Sequence, residues 1–491
     1  MSLPIRAERP GTLSEAHEQL DAFWSMIETL YASQEQLKEE VAELRRQVEE
    51  LTEKQGSSSQ NSSNPPSTDN PEQRAKRPRR KPSGRGQGGQ PGHLKHERSL
   101  VPEETVDQIE NYYPDSVCSC GGTVAIDRAN PYRHQVFDIP PMHMQVNEYR
   151  FHTGECGGCG KTHHSDWPAW VPSGQMGPGL IAWIAVLSGQ FHLSMRKIQQ
   201  LLLMMCQDTF SLGAISKAQG KTVAWIEPIH EQVGNHIRQQ AVAQADETRH
   251  YHGVSIYWMW ILTSGPWCYF MTHYSRGKKV ANFLLRGFRG YLVTDHFGAY
   301  NDYPREWRQL CWAHLTRHFR KVAGRCGDAG DLGQRLLLLA HALFRTHHRF
   351  GHCAEERWRY QRRMSRLRKS FRALLEKGLT LDTCPRTQRQ CKNWQRDELM
   401  CWTFLKDERI PLTNNWAEAV NRPYVIWRKI CYASQSLQGD RFRPMILTVV
   451  ETAKRMEINP IEFMRSVCAQ GLAGKTITIR FPFNGLQRPE A

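Results

Sequence analysis

The chain has 491 residues, which is too long for one hydrophobic core and predicts two to four domains. Lysine and arginine number 65 against 49 acidic residues, so the formal net charge is +16. Such charge favours a polyanionic partner, because each neutralised phosphate releases counterions. No segment is apolar enough to span a bilayer, and the N-terminus lacks the apolar core of a secretory signal. We therefore expect a cytoplasmic protein whose 14 cysteines are reduced thiols or metal ligands.

A heptad pattern runs through residues 13–53 and predicts a coiled coil. Its two series of seven-residue spacing are apolar except for one glutamine: Leu13, Leu20, Ile27, Gln34, Val41, Val48, and Phe23, Leu30, Leu37, Leu44, Leu51. A seam this long needs a partner helix, because a lone helix would leave it in water. We expect self-association, with Glu40 and Arg45 suited to an interchain ion pair. The alternative is an amphipathic helix that folds onto its own protein.

Residues 54–99 form a predicted linker. The run GSSSQNSSNPPSTDNP is too polar to form a core, and AKRPRRKPSGRGQGGQPGH places basic residues among proline and glycine. An extended basic segment can follow a phosphate backbone or insert arginine into a minor groove. A solvated charged tether is the alternative. The predicted DNA contacts here are Arg77, Arg79, Arg80, Lys81 and Arg85.

Two cysteine pairs mark residues 100–170 as a small β module. Alternating runs between the pairs, YRHQVFDI and MQVNEYRF, predict strands. Glycines beside the cysteines allow the tight turns that direct two thiolates at one tetrahedral zinc ion. The first pair is one residue short of CxxC, so His163 or His164 could replace a ligand, and unrelated reduced thiols are the alternative. The predicted structural zinc ligands are Cys118, Cys120, Cys156 and Cys159.

Residues 171–238 are apolar at helical spacing, in two runs separated by TFSLG. Two helices around a tight turn, with Arg196 and Lys197 nearby, permit a helix-turn-helix DNA-binding domain. A plain layer of packed helices explains the same apolar stripe.

From residue 241 the pattern changes to strands. AVAQADET, GVSIYWMWILTS and PWCYFMTHYS predict three consecutive strands, and GYLVTDHFGAY and RQLCWAHLTRHFRKVAG predict short strands that alternate with helices. Antiparallel strands followed by parallel additions predict an α/β sheet of ribonuclease-H type. We assign this core to residues 239–325 and 405–457, with a basic helical insertion over 326–404 and a C-terminal tail over 458–491. The fold class is therefore multidomain α+β.

Three acidic residues in this core predict a metal site. Asp246 lies on the first strand and Asp295 ends the fourth, so both would meet at one edge if these strands are neighbours. Close carboxylates repel unless a divalent cation neutralises them, and magnesium prefers oxygen ligands. Glu418 follows Asn414 and Asn415, which can cap a helix, by about one turn. The set suits two magnesium or manganese ions about 4 Å apart.

Other charged residues and one histidine lie near these three in the sequence or its predicted elements. Glu247 should face the other side of the sheet, because adjacent residues on a strand point in opposite directions. Asp302 is interpreted as a surface or turn residue. His314 could join the site, although a hydrogen-bonded structural histidine is the favoured interpretation. Basic residues on two helices suit phosphate contacts, with a solvated turn as the alternative for the last two: Arg317, Arg320, Lys321, Arg428 and Lys429.

These motifs, taken in order, resemble the transposases of the insertion sequence 66 family. They are RGQGGQPGH, the cysteine pairs, GPGLIAW, ADET, LVTDHFGAY, CWAHLTR and LTNNWAEA, spread over residues 20–470. The resemblance implies an Asp-Asp-Glu enzyme with a ribonuclease-H-like core, in which Asp246, Asp295 and Glu418 are the catalytic metal ligands. Ala419 departs from the pattern, since arginine is usual after the glutamate.

The resemblance also implies an activity and partners. It implies metal-dependent cleavage at the ends of the element, transfer of the 3′-hydroxyl into target DNA, and recognition of terminal inverted repeats. It further implies association with the nucleoid and two small accessory proteins from the same element. A catalytically inactive DNA-binding regulator is the first alternative, and all three carboxylates being present argues against it. A plain nuclease of the same fold is the second, and the coiled coil argues against it.

Overall fold

The computed structural model describes residues 11–55, 58, 61, 69–75, 98–351 and 356–482. The chain divides into two compact units. One comprises Met1–Lys76, Gly234–His250 and Ser255–Val425, and the other comprises Arg77–Val233, Tyr251–Val254 and Ile426–Ala491. Within the described residues, no helix is both long and apolar enough to cross a membrane.

The heptad segment is one continuous helix, α1, over Leu13–Gln55. Its apolar seam is exposed along its length, with Leu13 79% and Leu44 59% accessible. A helix is thus confirmed where a coiled coil was predicted, and among the described residues its seam is exposed. A short helix, α2, follows at Pro71–Ala75. The predicted linker contacts lie outside the described residues: Arg77, Arg79, Arg80, Lys81 and Arg85.

The cysteine module holds one small sheet. Strands β1 (Thr153–Glu155) and β2 (Thr162–His164) pair antiparallel. The prediction of strands at YRHQVFDI and MQVNEYRF was wrong, because residues 132–139 and 144–151 have no regular secondary structure. Tyr132 is 93% and Val146 82% exposed. Because no other layer covers these alternating side chains, forming a strand would bury little apolar area. Little free energy would then favour strand pairing there.

Five helices belong wholly or largely to the second unit, and the three that precede residue 241 lie where the sequence predicts helices. They are α3 (Pro178–Gly189), α4 (Met195–Cys206), α5 (Leu212–Arg238), α13 (Leu437–Arg455) and α14 (Pro460–Leu472). Helix α3 packs against α13 and α14. Gly189 permits the approach of α3 to α13, because a Cβ there would lie 2.4 Å from Cγ1 of Ile446.

The first unit is built on a five-stranded mixed sheet. Its strands are β3 (Val242–His252), β4 (Ser255–Ser264), β5 (Trp267–His273), β6 (Tyr291–Thr294) and β7 (Arg308–Leu310). The spatial order is β5-β4-β3-β6-β7, with β6 parallel to β3 and β7 parallel to β6. The predicted adjacency of the first and fourth strands is therefore observed. Gly290 allows β6 to enter beside β3, since a Cβ there would lie 2.5 Å from the carbonyl oxygen of Ala241.

Helices cover this sheet and fill the span between its last strand and the final helix of the unit. They are α6 (Lys278–Leu284), α7 (Trp312–Ala323), α8 (Gly327–Phe350), α9 (Arg357–Leu379), α10 (Pro385–Arg396), α11 (Glu398–Cys401) and α12 (Asn415–Ile430). One buried core joins Val293 and Leu310 of the sheet to Trp312, Phe371 and Trp402. The span 326–404 is helical, as predicted, and it shares its core with the sheet.

Candidate active site

The sheet brings Asp246 and Asp295 to the same edge. Gln244 of β3 lies opposite Val293 of the parallel strand β6. Each aspartate lies two residues beyond one of these paired residues, so the two occupy matching positions just past the point where β6 ends, while β3 continues to His252. Both are half-buried. The strands therefore place two carboxylates side by side, as the sequence predicted for adjacent strands.

Helix α12 is held against β3 by polar contacts. Asn414 Nδ2 donates to the carbonyl oxygen of Ala245 (2.7 Å), and the backbone N–H of Ala417 donates to Gln244 Oε1 (3.4 Å). The predicted side-chain cap was wrong for Asn414, because its Oδ1 has no hydrogen-bond partner among the described residues. Its backbone oxygen instead accepts from the N–H of Glu418 (3.2 Å). Asn414 thus fixes the first turn of α12 on the strand that carries Asp246.

The next turn of α12 reaches the aspartate itself. Asn421 Nδ2 donates to Asp246 Oδ2 (2.9 Å). Burial raises the pKa of Asp246 well above its usual value, and the charges of Glu247, Asp295 and Glu418 raise it further, against the opposing effect of the Asn421 hydrogen bond. The charges of the other two predicted acidic residues, Asp295 and Glu418, therefore both act on Asp246.

Glu418 also faces two basic side chains of α7. Its Oε1 lies 3.7 Å from His314 Nε2, and its Oε2 lies 3.7 Å from Arg317 Nη2. Glu418 Oε1 is buried with no hydrogen-bond partner among the described residues. Burial lowers the pKa of His314, opposed by the charges of Asp295 and Glu418, and His314 Nδ1 is likewise buried without a described partner. The ring of His314 thus faces the acidic site, and its Nε2 also lies within hydrogen-bond distance of Arg317 Nη1 (3.4 Å).

Glu247 lies on the opposite face of β3, as the strand alternation predicted. Its side chain is only 2% exposed, and Arg276 binds its Oε1 through Nη2 (2.6 Å) and Nε (3.1 Å). The hydroxyl of Tyr300 donates to Glu247 Oε2 (2.7 Å), and the Arg276 guanidinium lies 3.8 Å from the ring centroid of Phe297. Phe297 and Tyr300 follow Asp295 closely in the chain. The sequence did not reveal that the ion pair of Glu247 and Arg276 contacts the loop that follows Asp295.

The loop after β6 is fixed by further contacts. The N–H of Phe297 donates to Asp295 Oδ1 (2.9 Å), and the fully buried Arg308 donates from Nη2 to the Asp295 carbonyl oxygen (3.0 Å). His296 Nε2 lies 2.7 Å from Oδ2 of Asp397, which precedes α11. These contacts orient the Asp295 carboxylate and tie its loop to the helical span.

The remaining predicted residues lie in different places. Arg317 contacts Glu418, as described, while Arg320 is exposed and Lys321 half-buried on the same helix. Arg428 is half-buried and Lys429 is exposed, and both belong to the second unit.

The cysteine pairs are likewise in the second unit. Cys118, Cys120 and Cys159 are exposed and Cys156 is half-buried. Hydrogen bonds from the backbone N–H groups of its neighbours lower the pKa of the first thiol in each pair, Cys118 and Cys156. This makes each a better thiolate donor.

Comparison with known proteins places the chain in a family. The sequence model described as "Transposase IS66 family" matches residues 173–441, more than half of the chain. The chain belongs to this family. A second model, "Family of unknown function (DUF6444)", matches residues 4–99. The chain is also similar to "Uncharacterized protein y4jD" of Sinorhizobium fredii (strain NBRC 101917 / NGR234), with 23% identity over 394 residues, covering 74% of this chain and 76% of that protein.

The acidic residues of this IS66-family chain have the chemistry of a divalent-cation site. Among the described residues, no three His, Cys, Asp or Glu side chains are arranged as a ready-made metal site, and this includes the cysteine pairs. The acidic cluster nevertheless combines mutually repelling carboxylates with a buried Glu418 oxygen that accepts no described hydrogen bond. Carboxylate oxygens are the donors that magnesium and manganese prefer, and a cation would relieve the repulsion.

Substituting Asp246→Asn is expected to raise the Tm in the absence of metal. Because folding raises the pKa of Asp246, its contribution to stability is present below the unfolded pKa and is lost as pH rises through the folded pKa. The uncharged amide does not lose stability in this way. The Tm of the variant should therefore exceed that of the native protein by more at neutral pH than in acid, at about 2–4 °C per kcal/mol of free energy. Differential scanning fluorimetry in EDTA across this pH range measures it.

Magnesium provides the control for this prediction. Added magnesium should raise the Tm of the native protein and have little effect on Asp246→Asn, since the cation stabilises only the charged carboxylate. A variant that is less stable than the native protein at neutral pH in EDTA would contradict the argument.

Proposed function

We propose that the protein is a DNA transposase that cuts DNA at the ends of its element and transfers the 3′-hydroxyl into target DNA. The observation that carries the proposal is that the charges of Asp295 and Glu418 both act on the buried Asp246 in a chain of the IS66 family. The strand order of the sheet supports a ribonuclease-H-like core for this chemistry. A basic chain suits the polyanionic substrate.

In this proposal Asp246, Asp295 and Glu418 hold two magnesium or manganese ions. Bound there, the ions supply activation of an attacking oxygen and neutralisation of the charge on the leaving one. Asn421 orients the Asp246 carboxylate through its hydrogen bond. Burial lowers the pKa of His314, which favours the neutral ring beside Glu418, and a neutral imidazole can accept a proton there.

Other parts of the chain are proposed to bind DNA or partners. Arg317, beside Glu418, places positive charge where a scissile phosphate would lie. We assign further backbone contacts to the basic linker and to the exposed cations of α7 and α12. A structural zinc ion at the cysteine pairs would order their module for the same purpose. The exposed seam of α1 would associate two or more copies, and the two accessory proteins of the element would complete the assembly.

A strand-transfer assay tests the proposal. The purified full chain is incubated with a labelled duplex that ends in the inverted repeat flanking its gene, together with a supercoiled plasmid, in magnesium or in EDTA. We expect labelled DNA joined to the plasmid in magnesium only. Cutting without joining would indicate a nuclease, and sequence-specific binding without either reaction would indicate a regulator. Both outcomes would overturn the proposal.

A further inference from the structure

The helices α9 and α10 carry an uneven charge that the proposed chemistry does not use. Over Arg357–Leu379, α9 holds nine lysine or arginine residues and one glutamate. Over Pro385–Arg396, α10 holds four basic residues and no acidic one. Ordinary surface helices alternate the two signs, which gives them stabilising pairs at three- and four-residue spacing. Within their bounds α9 and α10 contain one acidic residue, Glu376, so their excess of positive charge requires another explanation.

Contacts with Glu398 separate two cations of α9 from the others. Its inner face packs into the core of the unit through Tyr360, Met364 and Phe371. Two arginines on the flank of this face bind the nearly buried Glu398 at the start of α11: Arg368 through Nε (2.6 Å) and Nη2 (2.9 Å), and Arg372 through Nη2 (3.1 Å). These two arginines bind Glu398 and anchor the helix.

The outer face of α9 carries a basic stripe. Arg362, Arg366 and Lys369 are all exposed, and their spacing of four and then three residues places them on one side of the helix. No aspartate or glutamate occurs between Arg357 and Leu375, so the helix itself offers nothing to neutralise the stripe. An exposed tryptophan, Trp358, lies at the N-terminal end of the same helix.

Helix α10 repeats the pattern. It packs against α9, and Arg389 and Lys392 are exposed at a spacing of three residues. Buried Cys391 and Trp394 mark its inner face. Two packed helices therefore each present cations to solvent.

We propose that the exposed cations of α9 and α10 form a DNA-binding face on the helical insertion. This face binds the phosphate backbone of a duplex independently of its base sequence. The face consists of Arg362, Arg366, Lys369, Arg389 and Lys392. Cations on a rigid helix neutralise successive phosphates and release their counterions, which gives affinity but no base specificity. The inference rests on the proposed function only in its choice of DNA as the polyanion.

The face is fixed with respect to the acidic site. Glu398, which anchors α9, directly follows Asp397, and Asp397 binds His296 beside Asp295. The same buried core contains Phe371 of α9 and Val293 of β6. A duplex held on this face would thus be positioned relative to the catalytic carboxylates by packed structure and not by a flexible tether.

The test is the salt dependence of DNA binding by the triple variant R362Q/R366Q/K369Q in the full chain. Fluorescence anisotropy with a labelled duplex of arbitrary sequence, in EDTA to prevent cutting, gives the slope of log K against log salt. Three lost phosphate contacts should reduce the magnitude of that slope by about 2–3 and weaken binding at least about tenfold at moderate salt. The matched control is R335Q/R345Q/R349Q, which neutralises three exposed arginines of α8.

The expected result is a reduced slope for the α9 variant and an unchanged slope for the α8 control. An unchanged slope for the α9 variant would overturn the inference, and an equal reduction in both would overturn it by showing general attraction to a basic protein. Thermal midpoints should match the native protein, because exposed substitutions of this kind alter stability by about 0.5 kcal/mol or less. Joining is measured separately, so a native protein that binds but never joins would refute the proposed function and leave this face standing.

Discussion

Substituting Asp295→Asn is expected to lower the rate of 3′-end joining by about 10³-fold or more, equivalent to about 4 kcal/mol of transition-state stabilisation. The amide keeps the shape of the side chain but lacks the charge that would bind a divalent cation. It can still accept the hydrogen bond from the N–H of Phe297, so the loop should keep its conformation. Timed strand-transfer assays at saturating magnesium measure the rate, and circular dichroism checks the fold.

Asp302→Asn is the matched control, because Asp302 lies on the same connection but is exposed and bound to Lys278. It should retain joining within about twofold, since an exposed ion pair contributes little. If Asp295→Asn or Asp295→Ala joined DNA normally at normal protein levels, the assignment of Asp295 to the catalytic set would fail.

The positions of Asp246 and Asp295 could be predicted because they depend on local patterns. Short apolar strands joined through helices add in parallel, and β6 does so beside β3. Asp246 on β3 and Asp295 just after β6 therefore occupy matching positions on neighbouring strands. The alternation along β3 likewise predicted that Glu247 would point away from Asp246. These inferences needed only strand direction and period.

Glu418 was harder to place, because a long helical span separates it from Asp295. The expected link was a side-chain cap by Asn414, yet Asn414 uses its amide to bind the carbonyl of Ala245. That contact joins residues far apart in the chain, and no local pattern encodes it. The family motif identified Glu418 as the candidate residue of this helix. The cap expected from the Asn414 side chain is not what positions it.

The residues that the sequence missed share one property, which is that their partners are distant in the chain. Arg276 and Tyr300 meet at Glu247 only when the sheet and its helices are assembled. The failed strands of the cysteine module show the converse. An alternating pattern forms a strand only where another layer buries its apolar side chains. Most side chains of residues 132–139 are exposed.

The buried Glu247 also gives the last prediction: Arg276→Met should destabilise the first unit by about 2 kcal/mol. Removing one partner of a buried pair leaves an uncompensated charge, at a cost of about 3–5 kcal/mol, and the 38% exposure of Arg276 reduces this value. Burial and the charge of Asp295 already raise the pKa of Glu247, and Arg276 opposes them. Loss of the guanidinium would raise that pKa further.

The sign of the pH dependence follows from that shift. A carboxyl group with a raised folded pKa contributes stability at low pH that is lost as pH rises through the folded pKa. The deficit of Arg276→Met should therefore be larger near neutral pH than in mild acid, as measured by urea denaturation at both. Glu247→Gln in the same variant should restore part of the stability, because the amide needs no cation. A deficit independent of pH, and not relieved by Glu247→Gln, would mean that Arg276 acts through its stacking on Phe297 instead of through the buried charge.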